Sequence, residues 1–397
     1  MHPAHELRGS TSSKLQNKRI VLGITGSIAA VETIKIARAL IRHGADVIPL
    51  MTPAATKIIH PDALEFATGH HPIIELTGQT EHVKYCGLVN DPVDLLLICP
   101  CTANTLSKIA HGIDDSPVTT FATTALGSQI PICIVPAMHL SMYNHKIIQQ
   151  NITICTQQHI SIIQPDVSQT KAKLPTRNDI VAQVIRIIPP TPLHDKKVLI
   201  IGGATAEPVD DIRLLTNRSS GKTAVSLTTA AYEMGAQVTQ WYGYAQESPP
   251  PLGTLHRFQT IADLQNLLKK NKSTFDIIVL CAAIADYIPK KHTGKIPSGK
   301  TSFNISCIPA PKIITKLRTQ FPKATLVGYK VEDTKQKLKS SCTTLLEKNR
   351  LDLVIGNTIS AFGSEINTIV LVTKNKTTQI TGSKEDLAYQ ILQRFST

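Results

Sequence analysis

Two tandem doubly wound α/β domains, each a Rossmann-like parallel sheet covered by helices, are the fold class this sequence predicts. Three observations predict it. Almost unbroken apolar runs such as "VDLLLIC" and "DIIVLC" read as strands buried on both faces. The same order of apolar strand, glycine turn and amphipathic helix recurs in both halves of the chain. Between them, "RIIPPTPLHDKK" (186–197) puts three prolines within four residues, which stops a helix and stiffens a linker. The expected boundaries are a domain over 1–188, a proline-rich linker over 189–195 and a second domain over 196–397.

In the first half "KRIVLGIT" reads as a strand and "GSIAAVETIKIARALIRHG" as one helix, with Ile34, Ala37, Leu40 and Ile41 at helical spacing. "ADVIPLMT", "VDLLLICPCT" and "PICIVPAM" supply three more strands. The second half reads "KKVLIIGG", helix 221–235, "AQVTQWYG", helix 260–270, "DIIVLCAA", helix 310–320, "TLVGYK", helix 334–348 and "LDLVIGN". "NTIVLVTKNKTTQITG" closes it as a hairpin.

Composition narrows the function classes. The longest apolar runs are strand-sized, and the polar N-terminus has no apolar signal core, so a soluble, cytoplasmic protein without membrane contact is expected. The eight cysteines include no C-x-x-C pair and read as buried free thiols. The net charge of +13 raises the question of nucleic acid. Residues 1–188 hold 15 basic against 13 acidic residues and 189–397 hold 27 against 16, with no run of five basic residues. Scattered basic residues with few aromatics for stacking fit phosphate handling rather than nucleic-acid binding.

Ligands of such folds sit at the carboxyl ends of the strands. Gly26 and Ser27, Thr52, and Thr102 with Asn104 end three strands of the first half, and together they suggest a pocket for a phosphate and a ring. No acidic residue ends the second strand to hold an adenosine ribose, which favours a mononucleotide such as FMN. His82 is placed in a loop and His139 directly after a strand, both candidates for proton chemistry. In the second half "GGATAEPVDDIRLLTNRSSGKTA" (202–224) misses the Walker pattern because Thr216 stands where its first glycine belongs. It still delivers free backbone N–H groups at a helix start, hence an anion site of another family. Asp286, ending a buried strand before the lysine-rich "KKHTGKIPSGK", suggests a grip on a Mg²⁺-bound triphosphate.

Taken in order, "GITGSIAAVE", "EHV", "PCTANTLSKIAHGIDD", "PAMHLSMY", "EPVDDIRLLTNRSSGK", "AAIADYIP", "LVGYKVE", "DLVIGN" and "FGSEIN" resemble one enzyme family over nearly the whole chain. It is the bifunctional family of coenzyme A biosynthesis, phosphopantothenoylcysteine decarboxylase fused to phosphopantothenate–cysteine ligase, in its archaeal form. The resemblance implies a ligase that activates 4′-phosphopantothenate with CTP and lets cysteine attack the acyl-cytidylate. It implies that the other half decarboxylates the product, with FMN oxidising the thiol carbon and returning the hydride. In the FMN site it places Gly26, Ser27, Ile28, Thr52, Thr102, Ala103 and Asn104. It makes His82 the essential histidine and puts His139 and Met142 at the substrate. On the ligase side it implies Asn217 for resolving the acyl-cytidylate and Arg213 as a substrate anchor. Nucleotide contacts fall on Ser219, Ser220, Gly221, Lys222, Ala282, Asp286, Lys295, Pro311, Lys312, Tyr329 and Lys348, with Asp286 and Asp210 at Mg²⁺. Lys295 also offsets phosphate charge from the family's mobile loop, and Tyr329 stacks on the base. Homo-oligomers are implied too, trimers through the flavoprotein domains and dimers through the ligase domains.

Two departures qualify the resemblance. His139 stands where bacterial members carry asparagine. The flap cysteine that protonates the enethiolate has no counterpart in "PDVSQTKAKLPTRND", so Lys171 or Lys173 takes its place and contacts substrate. Three questions stay open: an active ligase with a decayed or repurposed flavoprotein half, a flavin-binding regulatory subunit, and CTP against ATP.

Overall fold

Successive apolar residues of each strand send their side chains to opposite faces, and both faces find a helical layer. The computed structural model describes residues 2–167, 171–297, 303–359 and 366–396, and contacts divide the chain between Pro189 and Pro190. Residues 362–365 of the "FGSEIN" motif and 298–300 of the lysine-rich stretch lie outside the described residues.

The N-terminal unit carries a five-stranded parallel sheet. Its spatial order is Asp46–Met51, Arg19–Ile24, Leu95–Cys101, Ile132–Pro136 and Ser161–Ile162. Leu22, Ile24, Leu97 and Val135 pack on one side with Ile36 and Leu40 of the helix Thr33–Arg42 and Val184 of Arg177–Ile187. Val21, Leu96, Ile98 and Ile134 pack on the other with Phe121 of Pro117–Gly127 and Ile152 of Lys146–Gln157. The expected helix after Gly26 has two parts, a 3₁₀ turn Ile28–Glu32 capped by Ser27 and then the α-helix proper. His82 is corrected from loop to helix: it lies in the short helix Glu81–Cys86. One and a half turns give too little periodicity for a sequence pattern to register. Met138–His139, Asp166–Val167 and Lys171–Lys173 form a small antiparallel sheet that pairs Lys171 with His139.

The C-terminal unit carries an eight-stranded sheet. In spatial order its strands are Thr254–Arg257, Gln237–Tyr242, Lys197–Gly202, Ile277–Leu280, Thr325–Glu332, Leu353–Thr358, Ile366–Val372 and Thr377–Ser383. The first six run parallel, and the last two form the expected hairpin. The helices Lys222–Glu233, Ile261–Lys270, Ile313–Gln320 and Lys335–Asn349 fall within a few residues of expectation. Two short hairpins lie where loops were expected, Ala206–Pro208 with Leu214–Thr216 and Tyr287–Pro289 with Cys307–Pro309. All eight cysteines are unpaired thiols, and burial pushes Cys99 and Cys133 well above the ordinary thiol range. Among the described residues no helix is long and apolar enough to cross a membrane.

Candidate active sites

In the N-terminal unit the loops after three strands meet around a cavity of about 400 Å³, lined among others by Gly26, Thr52, Thr102 and Asn104. Thr52 enters it because its N–H donates to the Ile24 carbonyl (3.0 Å), which holds the two strand ends level. Thr102 caps the helix Ala103–Ala110, its Oγ1 accepting from Thr105 N–H at 3.3 Å, and its own N–H donates to Thr25 Oγ1 at 3.0 Å. The cavity therefore faces a helix N-terminus and neutral hydroxyl and amide groups, with Lys108 tied to Asp115 at 2.7 Å. Gly26 is required by packing, because a Cβ there would stand 2.6 Å from the Ala54 methyl. This donor set fits a phosphate-bearing ring such as FMN.

The other expected residues of this half stand outside that lining. Ser27 caps its 3₁₀ turn, Ile28 is 78 % exposed, and Ala103 is buried at its helix start. His139 caps Leu140–Tyr143, with Nδ1 3.0 Å from Ser141 Oγ, and Met142 is half exposed. His82 Nδ1 is buried and has no hydrogen-bond partner among the described residues. Lys173 is exposed, and Lys171 shares its strand, though its side chain lies outside what is described.

In the C-terminal unit a cavity of about 330 Å³ opens at the carboxyl ends of the central strands. Ser219, Ser220 and Gly221 form one wall, Ala282, Ala283, Ile284 and Asp286 another, and Tyr329, Lys330 and Asn357 the third. Gly221 initiates the helix Lys222–Glu233 at φ +79°, and a Cβ there would collide with Tyr242 Oη at 2.2 Å. Asn217 joins two walls, its Nδ2 donating to the carbonyls of Ala283 (3.2 Å) and Ile284 (3.3 Å). Asp286 pairs with Lys312 Nζ at 2.5 Å, both exposed, and Pro311 precedes Lys312 on the surface. Burial pushes the Tyr329 phenol well above its ordinary range. Asn357 Oδ1 is buried without a partner among the described residues.

Three expectations are altered. Asp210 is corrected as a metal ligand: its buried carboxylate accepts from the N–H groups of Ile212, Arg213 and Ile296 and from the Arg213 guanidinium. Both oxygens are taken, which leaves no lone pair directed at a cation. Lys348 is corrected as a nucleotide contact. It is exposed on the last turn of Lys335–Asn349, which runs back to the amino end of Leu353–Thr358, the edge of the sheet opposite the cavity. Lys384, at the start of the helix Lys384–Gln393, is the lysine that lines the cavity with Lys330. Burial, then the nearby Lys222 charge, lowers its ammonium pKa. Arg213 donates to the carbonyl of Ile296, next to Lys295, and neither Arg213 nor Lys295 is in the cavity lining. Lys330, Asn357, Asn367 and Lys384 were not found from sequence. For Asn357 the signal was available, since a polar residue directly ends the buried run "LDLVIGN".

A tandem of two cavities at the carboxyl ends of parallel strands, the first suited to a flavin, defines a flavoprotein joined to a second α/β domain with its own site. Comparison with known proteins agrees. Residues 8–188 match the flavoprotein family, and residues 193–397 match the DNA/pantothenate metabolism flavoprotein C-terminal domain family. The coenzyme A biosynthesis bifunctional protein CoaBC of Thermococcus kodakarensis is 43% identical over 94% of this chain and 93% of its own. That of Methanocaldococcus jannaschii is 35% identical over 99% and 97%. A solved DNA/pantothenate metabolism flavoprotein from Streptococcus pneumoniae superposes on 50% of this chain and 98% of its own, with 22% identity and a TM-score of 0.46. The chain belongs to the CoaBC family of bifunctional coenzyme A biosynthesis proteins. It is an enzyme with a decarboxylase and a ligase activity.

Proposed function

We propose that the C-terminal domain joins 4′-phosphopantothenate to cysteine with CTP and Mg²⁺, and that the N-terminal domain decarboxylates the product with FMN. The observation that carries the ligase half is its cavity, which sets a polar loop and helix start opposite Asp286 and closes on Tyr329. Ser219, Ser220 and Gly221 bind phosphates through the helix start, and Lys222 adds charge there. Tyr329 stacks on the base, and the unpartnered Asn357 Oδ1 accepts from its exocyclic amine. Among the described residues no group of three or more His, Cys, Asp or Glu is placed to hold a metal. That suits Mg²⁺ held by phosphates with Asp286, the usual arrangement for this ion. Ala282 borders the nucleotide, and Lys295 with Lys312 offsets phosphate charge.

In the other half Gly26, Thr52, Thr102 and Asn104 would hold FMN, which would supply reversible hydride chemistry at the thiol-bearing carbon. Ser27, Ile28 and Ala103 shape the same loops. His82 moves a proton or orients the substrate carboxylate. His139 and Met142 contact substrate. The pairing of Lys171 with His139 supports a lysine as the proton donor, because it lays the "KAK" strand beside a residue read here as a substrate contact. In Lys171→Ala or Lys173→Ala the saturated thiol product is expected to fall by about 10²-fold with CO₂ still released, the scale of one general acid. Normal product in both variants sinks that assignment.

A homo-oligomer is part of this reading. Exposed Ile28 and Leu88 in one unit, and Ile212, Leu214 and Leu215 beside Arg213 in the other, support trimers and dimers respectively. In a ligase dimer a second copy would bring Arg213 and Lys295 to the cavity. The test is a one-pot assay with 4′-phosphopantothenate, cysteine, Mg²⁺ and CTP or ATP, following pyrophosphate and CO₂ separately. Both products are expected, CO₂ lagging. Pyrophosphate alone would leave an active ligase with a repurposed flavoprotein half.

A further inference from the structure

The Lys295 loop is laid against the hairpin loop 209–213 by a set of contacts centred on two adjacent carboxylates. Asp210 Oδ2 accepts from Ile296 N–H at 3.1 Å and from Arg213 Nη1 at 2.5 Å, and the same guanidinium nitrogen donates to the Ile296 carbonyl at 3.2 Å. Asp211 Oδ2 accepts from Gly294 N–H at 2.9 Å, and its Oδ1 pairs with Lys291 Nζ at 2.8 Å. His292 N–H donates to the Val209 carbonyl at 2.9 Å. The anchored amides belong to residues 292, 294 and 296, so every second residue is pinned and Lys295 stands between two of them. Both carboxyls are held below the ordinary range. For Asp210 burial opposes this and the surrounding N–H donors and Arg213 outweigh it; for Asp211 the cause is first Lys291 and then the Gly294 amide.

We infer that Asp210 and Asp211 are a latch that sets the position of the loop carrying Lys295, making both of them positioning residues for the ligase reaction. The inference rests on the reading of Lys295 as the lysine that faces the phosphates. The two members differ in kind. The Asp210 side chain is fully buried and also orients Arg213, so it fixes the base of the loop. Asp211 is half exposed, and its contacts lie at the solvent edge, so it governs how often the loop lifts. One charged acceptor therefore ties Arg213 to the Ile296 amide, one residue from Lys295.

The test uses the full chain and two readouts. Asp211→Asn keeps the shape but loses the charge on Lys291 and Gly294. Trypsin cleavage after Lys291 and Lys295 is expected to quicken about tenfold, the equivalent of one charge-assisted hydrogen bond. Ligase kcat/KM for CTP is expected to fall by a similar factor in the native background and by less than twofold in Lys295→Ala. Unchanged cleavage, or an equal kcat/KM loss in both backgrounds, overturns the latch. If Lys295→Ala itself costs nothing while cleavage quickens, the latch stands and the reading of Lys295 fails. Asp210→Asn should exceed Asp211→Asn in both readouts, and Asp210→Glu should not restore them. Should Asp210→Asn fail to fold, the Asp211 variant decides alone.

Discussion

Replacing His82 with asparagine is expected to lower CO₂ release about 10³-fold while pyrophosphate release continues at the native rate. The expectation starts from an unsatisfied atom. Among the described residues His82 Nδ1 is buried and finds no partner, in a helix otherwise well secured, since the Glu81 carboxylate accepts from the Thr77 N–H at 3.0 Å and from its hydroxyl. An orphaned buried polar atom costs about 1–3 kcal/mol, so the fold gains nothing by keeping the ring where it is. A bound carboxylate or proton would supply the missing partner. Asparagine retains polarity near the same place but has no group that titrates between pH 5 and 8. Its thermal midpoint should therefore match the native value or rise slightly, which separates chemistry from folding. Decarboxylation of supplied 4′-phosphopantothenoylcysteine, followed by CO₂ release, checks the expectation. A loss under tenfold would remove His82 from proton transfer.

How far the sequence spoke depends on the length of each signal. The strands were legible because runs such as Leu95–Cys101 are buried at every position, and the following polar residues mark the sheet's carboxyl edge. That logic brought Gly26, Thr52, Thr102 and Asn104 to one cavity and Asp286 to another, where the family resemblance had also placed Ser219, Ser220, Gly221, Ala282 and Tyr329. Short elements were illegible. The helix around His82 and the hairpin before Asn217 are set by tertiary contacts rather than by periodicity. Lys348 was misplaced because matching lysines along a helix ignores which end of the sheet that helix reaches. Lys384 was missed because it is over fifty residues from the nearest motif around Tyr329 and arrives by a returning hairpin and helix. Asp210 was read as a metal ligand because a sequence shows a carboxylate but not the four donors that occupy it.

In Asn217→Asp the ligase is expected to stall between its two steps, with overall turnover down about 10²-fold, the scale of losing one preorganised donor in a closed site. Asn217 Nδ2 donates to two carbonyls, those of Ala283 and Ile284, on the wall opposite its own loop. The wall is itself tied back, because Ala285 N–H donates to Thr205 Oγ1 at 3.0 Å and Thr216 Oγ1 donates to the Thr205 carbonyl at 2.8 Å. An aspartate here has no hydrogen to give and sets a negative charge against two carbonyl oxygens, so both bonds become repulsions. Activation of 4′-phosphopantothenate needs the phosphate-binding residues, which the substitution leaves in place. Attack by the cysteine amine needs the acyl-cytidylate held between these two walls. The variant should thus release one equivalent of pyrophosphate per site in a rapid burst and accumulate the acyl-cytidylate. Quenched-flow measurement of pyrophosphate with mass detection of the intermediate decides it. Pyrophosphate and amide slowed equally, with no burst, would assign Asn217 to holding the loop and nothing more.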